Sequence, residues 1–329
     1  MSDGSSEQSR VWTNTNFPED VLQILEEGLD TAELVYATQT FSGNLVSSPP
    51  DSSLEEATIA FGQPDAEQLL QLTNIRWVHL TSAGYTKYDR DDLRAVFRER
   101  GAILTNSSSV YAEPCAQHAM SMILAFARQL PMSWKEQFTS RAWSDAQIRR
   151  QSALLNDQNI IIYGYGAIAH RLTELLKPFG VNIIGVRRKA TGNESIPMVS
   201  LEDHKSWLEH ADHVINILPA NDATKGFFDR DTLRGLKKTA YFYNIGRGVT
   251  VDQDALVEML YRGEIAGAYL DVTDPEPLPV DHPLWVAPNC FVTPHTAGGF
   301  QGEMGRLVSH FLGNYVRFEA GQELIDRVY

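Results

Sequence analysis

The chain has 329 residues, 43% hydrophobic, 10% aromatic and 21% charged, which is too apolar for intrinsic disorder and long enough for two domains rather than one small core. Its 28 Lys and Arg against 42 Asp and Glu leave a net charge of −14, a field that argues against nucleic acid and anionic lipid surfaces as partners. Two cysteines, Cys115 and Cys290, exclude a disulfide framework and a multi-cysteine zinc site; residues 1–10 lack the apolar core of a secretory signal, no apolar run reaches the ~18 residues of a membrane span, and a cytoplasmic protein is expected.

Along the first hundred residues, helix-like segments at 20–28 and 66–72 and strand-like runs at 57–61 and 77–80 read as a smaller α/β domain. The last of these runs leads into Thr81-Ser82-Ala83-Gly84. A long helix from Ala112 to about Leu130, ended by Pro131, is expected to carry the chain into a larger domain. The polar stretch 133–151 has little periodicity and reads either as an arm packed on another subunit or as a surface excursion of a monomer. From Asn159 onward six apolar runs rich in Val, Ile, Tyr and Phe follow, at 159–163, 181–186, 213–218, 240–245, 267–272 and 290–293. Their near-continuous apolarity suits strands covered on both faces. Between the first two, Ile168, Leu172, Leu175, Leu176 and Phe179 recur at helical spacing before Gly180, and 252–262 repeats the arrangement before Gly263. The alternation predicts an α/β fold with a doubly wound parallel sheet of dinucleotide-binding size. A final amphipathic helix, about 302–319, is expected to return to the first domain because that sheet is already complete.

Gly164-Tyr165-Gly166-Ala167-Ile168-Ala169 sits between the first of these strands and its helix, the context in which a glycine-rich turn approaches a pyrophosphate at a helix N-terminus. The second strand ends in Val186-Arg187-Arg188-Lys189, at a spacing of 187 − 164 = 23 residues, where an acidic residue ordinarily accepts the ribose hydroxyls. The sign is reversed: Arg187 and Arg188 would attract a 2′-phosphate, and the position lacks a carboxylate for a free 2′-hydroxyl. NADP(H) is therefore the preferred cofactor, with NAD(H) as the second choice. Three polar groups fall after successive later strands: Arg247 in Asn244-Ile245-Gly246-Arg247-Gly248, Glu276 in Asp271-Val272-Thr273-Asp274-Pro275-Glu276-Pro277, and His295 in Thr293-Pro294-His295-Thr296-Ala297-Gly298. Singly each has a structural explanation. Together, at the rim of such a sheet, they make a cation, an acid and the carboxylate that orients it. No dedicated cluster of metal ligands is evident, and no metal is expected.

These motifs, with Ala116-Gln117-His118-Ala119, Leu218-Pro219 through Thr224, Val251-Asp252 and Asp281-His282-Pro283-Leu284-Trp285, resemble the D-isomer-specific 2-hydroxyacid dehydrogenase family over nearly the whole chain. The resemblance implies a discontinuous, flavodoxin-like α/β substrate domain (1–107 and 297–329) and a Rossmann domain (108–296) that forms a homodimer. It implies that Ala83 and Gly84 hold the substrate carboxylate, that Arg247 grips carboxylate and carbonyl, and that Glu276 and His295 perform acid–base work on a small 2-oxo or 2-hydroxy acid. Cofactor contacts are implied for Gly164, Gly166, Ala167, Ile168, Arg187, Arg188, Leu218, Pro219, Thr224, Ile245, Gly246, Asp271, His295 and Gly298. Glyoxylate or hydroxypyruvate reduction is the expected activity, with hinges near Asn106 and Thr296. Gln117 and the bulky Tyr85 depart from the family pattern and bear on substrate preference; a dehydrogenase of the same fold acting on phosphoglycerate, a phosphonate or an inorganic substrate is an alternative. Glu276 argues against the formate-dehydrogenase branch, which carries an amide there, and an end at Tyr329 is expected to exclude the regulatory domain of long phosphoglycerate dehydrogenases. The same fold also serves NAD(H)-sensing corepressors, a binding function that the intact Arg247, Glu276 and His295 disfavour.

Overall fold

Apolar residues in short parallel strands dictate two sheets, each covered on both faces, in the computed structural model, which describes residues 9–42, 46, 48–190 and 192–329. The expectation about a secretory signal at 1–10 thus lies outside the described residues except for Ser9 and Arg10. The chain divides into two compact units, Met1–Tyr111 with Phe300–Tyr329, and Ala112–Gly299.

In the first unit the chain runs β1 (Arg10–Thr15), α1 (Glu19–Leu29), β2 (Glu33–Phe41), β3 (Ile59–Gly62), α2 (Ala66–Gln71), β4 (Trp77–Leu80), α3 (Asp91–Arg100) and β5 (Ile103–Thr105). All five strands are parallel, in the order β2-β1-β3-β4-β5, which is the flavodoxin-like doubly wound arrangement. Strands β1, β2 and β5 and helix α3 carried no clear signal: β2 is mostly exposed or half-buried at the sheet edge, and β5 is three residues long. The chain's last helix closes this unit, its Phe311 stacked on Phe61 (4.1 Å) and Trp77 (5.1 Å) in the core.

Helix α4 (Ser108–Ala127) begins four residues before the expected start, because the distant Asp326 carboxylate accepts the Ser109 N–H (2.7 Å) and Ser109 hydroxyl (2.8 Å) at its first turn. Pro131 does not end it. The chain breaks at Gln129 (φ 57°), and Pro131 occupies the first turn of a new helix, α5 (Leu130–Phe138), where a missing N–H costs nothing. The stretch expected to be irregular therefore holds α5 and α6 (Asp145–Gln151), whose faces are too exposed to show a period.

Within the second unit follow β6 (Asn159–Tyr163), α7 (Ala167–Leu176), β7 (Asn182–Val186), β8 (Met198–Val199), α8 (Lys205–Leu208), β9 (His213–Asn216), α9 (Arg230–Arg234), β10 (Tyr241–Asn244), α10 (Gln253–Arg262), β11 (Gly267–Leu270) and β12 (Cys290–Val292). The sheet order is β12-β11-β10-β9-β6-β7-β8, all parallel, and reverses direction beside β6. This is the Rossmann order extended by one strand. The sheet has seven strands and not six, since β8 is only two residues long and too short to show a pattern. Helix α10 is capped by Asp252, whose carboxylate accepts the Ala255 N–H (2.9 Å), and stopped by Gly263 at φ 62°. The closing helix α11 (Glu303–Glu319) packs on α1 in the first unit.

His213, buried at the start of β9, donates through Nε2–H to Gln158 Oε1 (2.7 Å), so its Nδ1 receives the Tyr243 hydroxyl (2.9 Å). Burial pushes its pKa down to about 4, below the ordinary 6.5. The unfolded chain takes up this proton first, so the stability is complete above pH 6.5 and falls as the pH drops from there towards 4. This group should contribute about 1.4 kcal/mol of loss per pH unit in that window. Urea unfolding between pH 5 and pH 8 checks it: His213→Asn should show a shallower acid loss than the parent, and an identical slope would contradict the assignment.

Candidate active site

A buried asparagine pair ties together the loops that follow β9 and β10. Asn216 Nδ2 donates to Asn244 Oδ1 (3.0 Å) and to Thr250 Oγ1 (2.7 Å), while the two amide oxygens accept the Leu218 N–H (3.1 Å) and the Gly246 N–H (3.1 Å). Nothing in the period of the strands marks these residues, because asparagines there look like ordinary strand ends. Leu218 and Ile245 are buried, Pro219 is exposed, and Thr224 closes the next turn by donating to the Pro219 carbonyl (2.5 Å). Arg247 emerges from this frame half-buried, with Nη1 donating to the Gly246 carbonyl (2.6 Å). Burial lowers the guanidinium's pKa from its ordinary value, with the nearby Glu276 and Cys115 opposing it. At Gly248 a Cβ would collide with the Thr273 carbonyl group, so only glycine lets the Arg247 turn press against the loop that carries Glu276.

The next two loops, after β11 and after β12, bring Glu276 and His295 together. His295 Nδ1 lies 2.8 Å from Glu276 Oε2, and Glu276 Oε1 accepts the Thr273 N–H (3.0 Å). Both side chains are about a third exposed, at 36% and 39%, so the pair faces solvent while its supports are buried. The carboxylate requires the proton on Nδ1 and leaves Nε2 as the free tip. His295 itself is held at φ 52°, a left-handed conformation that needs enforcement in a residue with a Cβ. The enforcement comes from buried Asp271, at the end of β11. Its Oδ1 accepts the Thr296 N–H (2.9 Å) and the Thr293 hydroxyl (2.6 Å), its Oδ2 the Ala297 N–H (3.0 Å), and its carbonyl the His295 N–H (2.8 Å). Gly298 lies in the turn closed by the Gly299 N–H on the Thr296 carbonyl (3.0 Å). Asp271, read from the sequence as a cofactor contact, thus has its carboxylate committed to the histidine turn.

Behind that turn, Tyr269 hydrogen-bonds Thr293 (2.5 Å) and also His118 of α4; burial raises the phenol's pKa. Sequence reasoning singled out neither Tyr269 nor this chain of hydroxyls.

At the other end of the site, Gly164 (φ 89°) packs so close to the Ile217 carbonyl that a Cβ would stand 2.8 Å from its oxygen. Gly166 faces open space, and the first bonded amide of α7 is His170 N–H on the Gly166 carbonyl (2.9 Å), so the amides of Ala167, Ile168 and Ala169 project from the helix end. An open turn with outward N–H groups at a sheet's reversal point fits a dinucleotide's pyrophosphate. Arg188 and Lys189 after β7 are exposed. Arg187 is half-buried and donates to Glu194 (3.0 Å), a carboxylate that folds back from seven residues further on. The carboxylate missing after the strand in sequence is thus supplied by the loop.

Ala83 and Gly84 lie in the first unit. There Asn106 Nδ2 donates to the Ala83 carbonyl (2.8 Å) and Ser82 Oγ to the Gly84 carbonyl (2.6 Å), which fixes the turn.

The fold and this constellation define an α/β protein of dinucleotide-binding architecture with a hydrogen-bonded histidine and glutamate at its strand ends. Residues 120–297, more than half the chain, match the family model described as D-isomer specific 2-hydroxyacid dehydrogenase, NAD binding domain. The chain is 31% identical over 228 residues to the glyoxylate reductase/hydroxypyruvate reductase of Homo sapiens (68% of this chain, 67% of that protein), and 31% identical over 275 residues to the glyoxylate reductase of Aeropyrum pernix (80% and 79%). A solved D-isomer specific 2-hydroxyacid dehydrogenase from Xanthobacter autotrophicus Py2, in complex with NADPH and MES, shares the fold with a TM-score of 0.78 at 24% identity, over 98% of each chain. The chain belongs to the D-isomer specific 2-hydroxyacid dehydrogenase family, and is an oxidoreductase that uses a nicotinamide cofactor. No helix among the described residues is long and apolar enough to cross a membrane.

Replacing Asp271 with Ala leaves two backbone amides and a hydroxyl without their acceptor. The variant should lose about 1–3 kcal/mol of stability in urea unfolding. It should also lose most turnover, through displacement of His295; full activity would show that the turn holds without the carboxylate.

Proposed function

We propose that this protein reduces a small 2-oxo acid, glyoxylate or hydroxypyruvate, to the D-2-hydroxy acid, preferring NADPH to NADH. The observation that carries the reading is the His295–Glu276 hydrogen bond of 2.8 Å, in the unit whose neighbouring strand-end loop presents Arg247. The nicotinamide, when bound, supplies the hydride. As the substrate's carbonyl carbon is reduced, negative charge grows on its oxygen. Arg247 offsets that charge, and His295 gives the oxygen its proton from Nε2, Nδ1 being engaged by Glu276. The amides of Ala83 and Gly84 hold the substrate carboxylate, in a substrate domain formed by 1–107 and 297–329. The choice of substrate follows the names of the glyoxylate reductases that the chain resembles.

Arg187 and Arg188, standing where the adenosine ribose lies in such sheets, support the preference for NADPH. A homodimer through the cofactor-binding domain is part of the same reading. Phe138 and Trp143, 81% and 92% exposed on the α5–α6 segment, support it, since aromatic residues are enriched at subunit interfaces. Cys115 and Cys290, not joined in a disulfide, suit a cytoplasmic setting.

His295→Ala should lower kcat by about 10²–10⁴-fold. Its NADPH affinity, followed by nucleotide fluorescence, should hardly change, and a variant that turns over normally would refute the proton-donor role. A panel of glyoxylate, hydroxypyruvate, pyruvate, 3-phosphohydroxypyruvate and bulkier 2-oxo acids identifies the substrate; a clear preference outside the first two would overturn that choice. Changing Arg187 and Arg188 together to Ser should weaken NADPH selectively by roughly tenfold or more, since each lost charge-assisted contact is worth about 1.4 kcal/mol or more. An unchanged NADPH-to-NADH ratio would remove the arginines from cofactor choice.

A further inference from the structure

Strand β7 ends at Val186, and in an open doubly wound sheet the adenosine ribose lies just beyond the end of the second strand. The first side chain there is Arg187, and it is already engaged. Glu194 Oε1 accepts its Nη1–H at 3.0 Å, while Oε2 accepts the Gly192 N–H at 2.8 Å. Glu194 is nearly inaccessible, its side chain 5% exposed, whereas Arg187 stays 33% exposed. The loop that brings Glu194 back is fastened to the glycine-rich turn, because the neighbouring Ser195 hydroxyl lies 3.1 Å from the Tyr165 hydroxyl. The Gly164 N–H on the Val186 carbonyl (3.0 Å) joins that turn to the strand end itself. Carboxylate, guanidinium and glycine turn therefore form one bonded assembly.

We propose that Glu194 is a specificity-determining residue that holds the protein between NADPH and NADH, a role that rests on the dinucleotide reading above. Its charge opposes a 2′-phosphate twice over: it occupies one edge of Arg187, and it places a like charge beside the incoming dianion. The small part of the carboxylate that stays exposed can accept a hydrogen bond from a free 2′-hydroxyl, the part an acidic residue at the strand end plays in NAD-binding sheets. Arg187 keeps its remaining donors for a phosphate, since a guanidinium carries five N–H groups and Glu194 takes one of them through Nη1. One cation and one anion, hydrogen-bonded to each other, thus present a partner for either cofactor. Arg188 and Lys189, exposed beside them, add positive field that tips the balance to NADPH without removing NADH.

Fluorescence titration of the full chain with NADPH and with NADH, without substrate, tests this by binding alone. Glu194→Gln keeps the shape and the Gly192 contact but removes the charge. It should tighten NADPH and weaken NADH, raising the ratio of their affinities by about tenfold or more, a free-energy difference of about 1.4 kcal/mol. Arg187→Ser provides an independent arm should the first variant fold poorly: NADPH should weaken by about tenfold or more while NADH, now facing a carboxylate released from the guanidinium, stays within about threefold. A ratio unchanged in Glu194→Gln, or an equal loss of both nucleotides in Arg187→Ser, overturns the role of Glu194 and leaves the dinucleotide reading standing. Failure of the parent chain to bind either nucleotide overturns both.

Discussion

The carboxylate of Asp271 holds together the part of the molecule where chemistry is expected. It sits at the end of a fully buried strand and receives two consecutive backbone amides and a hydroxyl from the turn beyond β12. Those bonds hold His295 in a left-handed conformation that an isolated residue of its kind rarely adopts. Without that clamp the imidazole would have no reason to face Glu276. A charged acceptor in a buried place is costly unless it is fully bonded, and this one is.

A similar logic recurs around the sheet. Asn216 and Asn244, both buried at strand ends, join the two central loops through their amides, and Gly248 removes the side chain that would keep the Arg247 turn away from the Glu276 loop. Arg247, Glu276 and His295 are exposed or half-exposed, and each is aimed by something buried. Precision in the site therefore comes from the strand ends of a rigid sheet and not from the loops as such. At the opposite end, the open glycine turn and the Arg187–Glu194 pair are joined to the same scaffold through the end of β7.

Much of this was legible in the order of the residues. Continuous apolar runs of four to six residues, rich in β-branched and aromatic residues, read as strands buried on both faces, and their alternation with helical periods leaves few topologies. The glycine turn was readable because its conformational demands restrict the residue types to glycine at Gly164. What escaped was mostly short or exposed, although β1 is buried and α3 is ten residues long. Strand β8 has two residues, β2 lies at an edge without an inward face to impose a period, and α5 and α6 bury too little to show one. Pro131 misled because proline is read as a terminator, whereas in a first turn it is a start.

By itself, then, the sequence determined the class of fold, the location of the glycine turn between β6 and α7 and the three polar groups Arg247, Glu276 and His295, because each is written in local residue type and spacing. Only the tertiary structure decided which groups meet: that Glu276 bonds His295, that Asp271 faces the turn that carries His295, and that Glu194 returns to Arg187. The reason is physical. Local spacing governs which backbone conformation a segment adopts, but the partner of a buried charge is chosen by the desolvation cost of leaving it alone, and that cost exists only once the chain has folded around it.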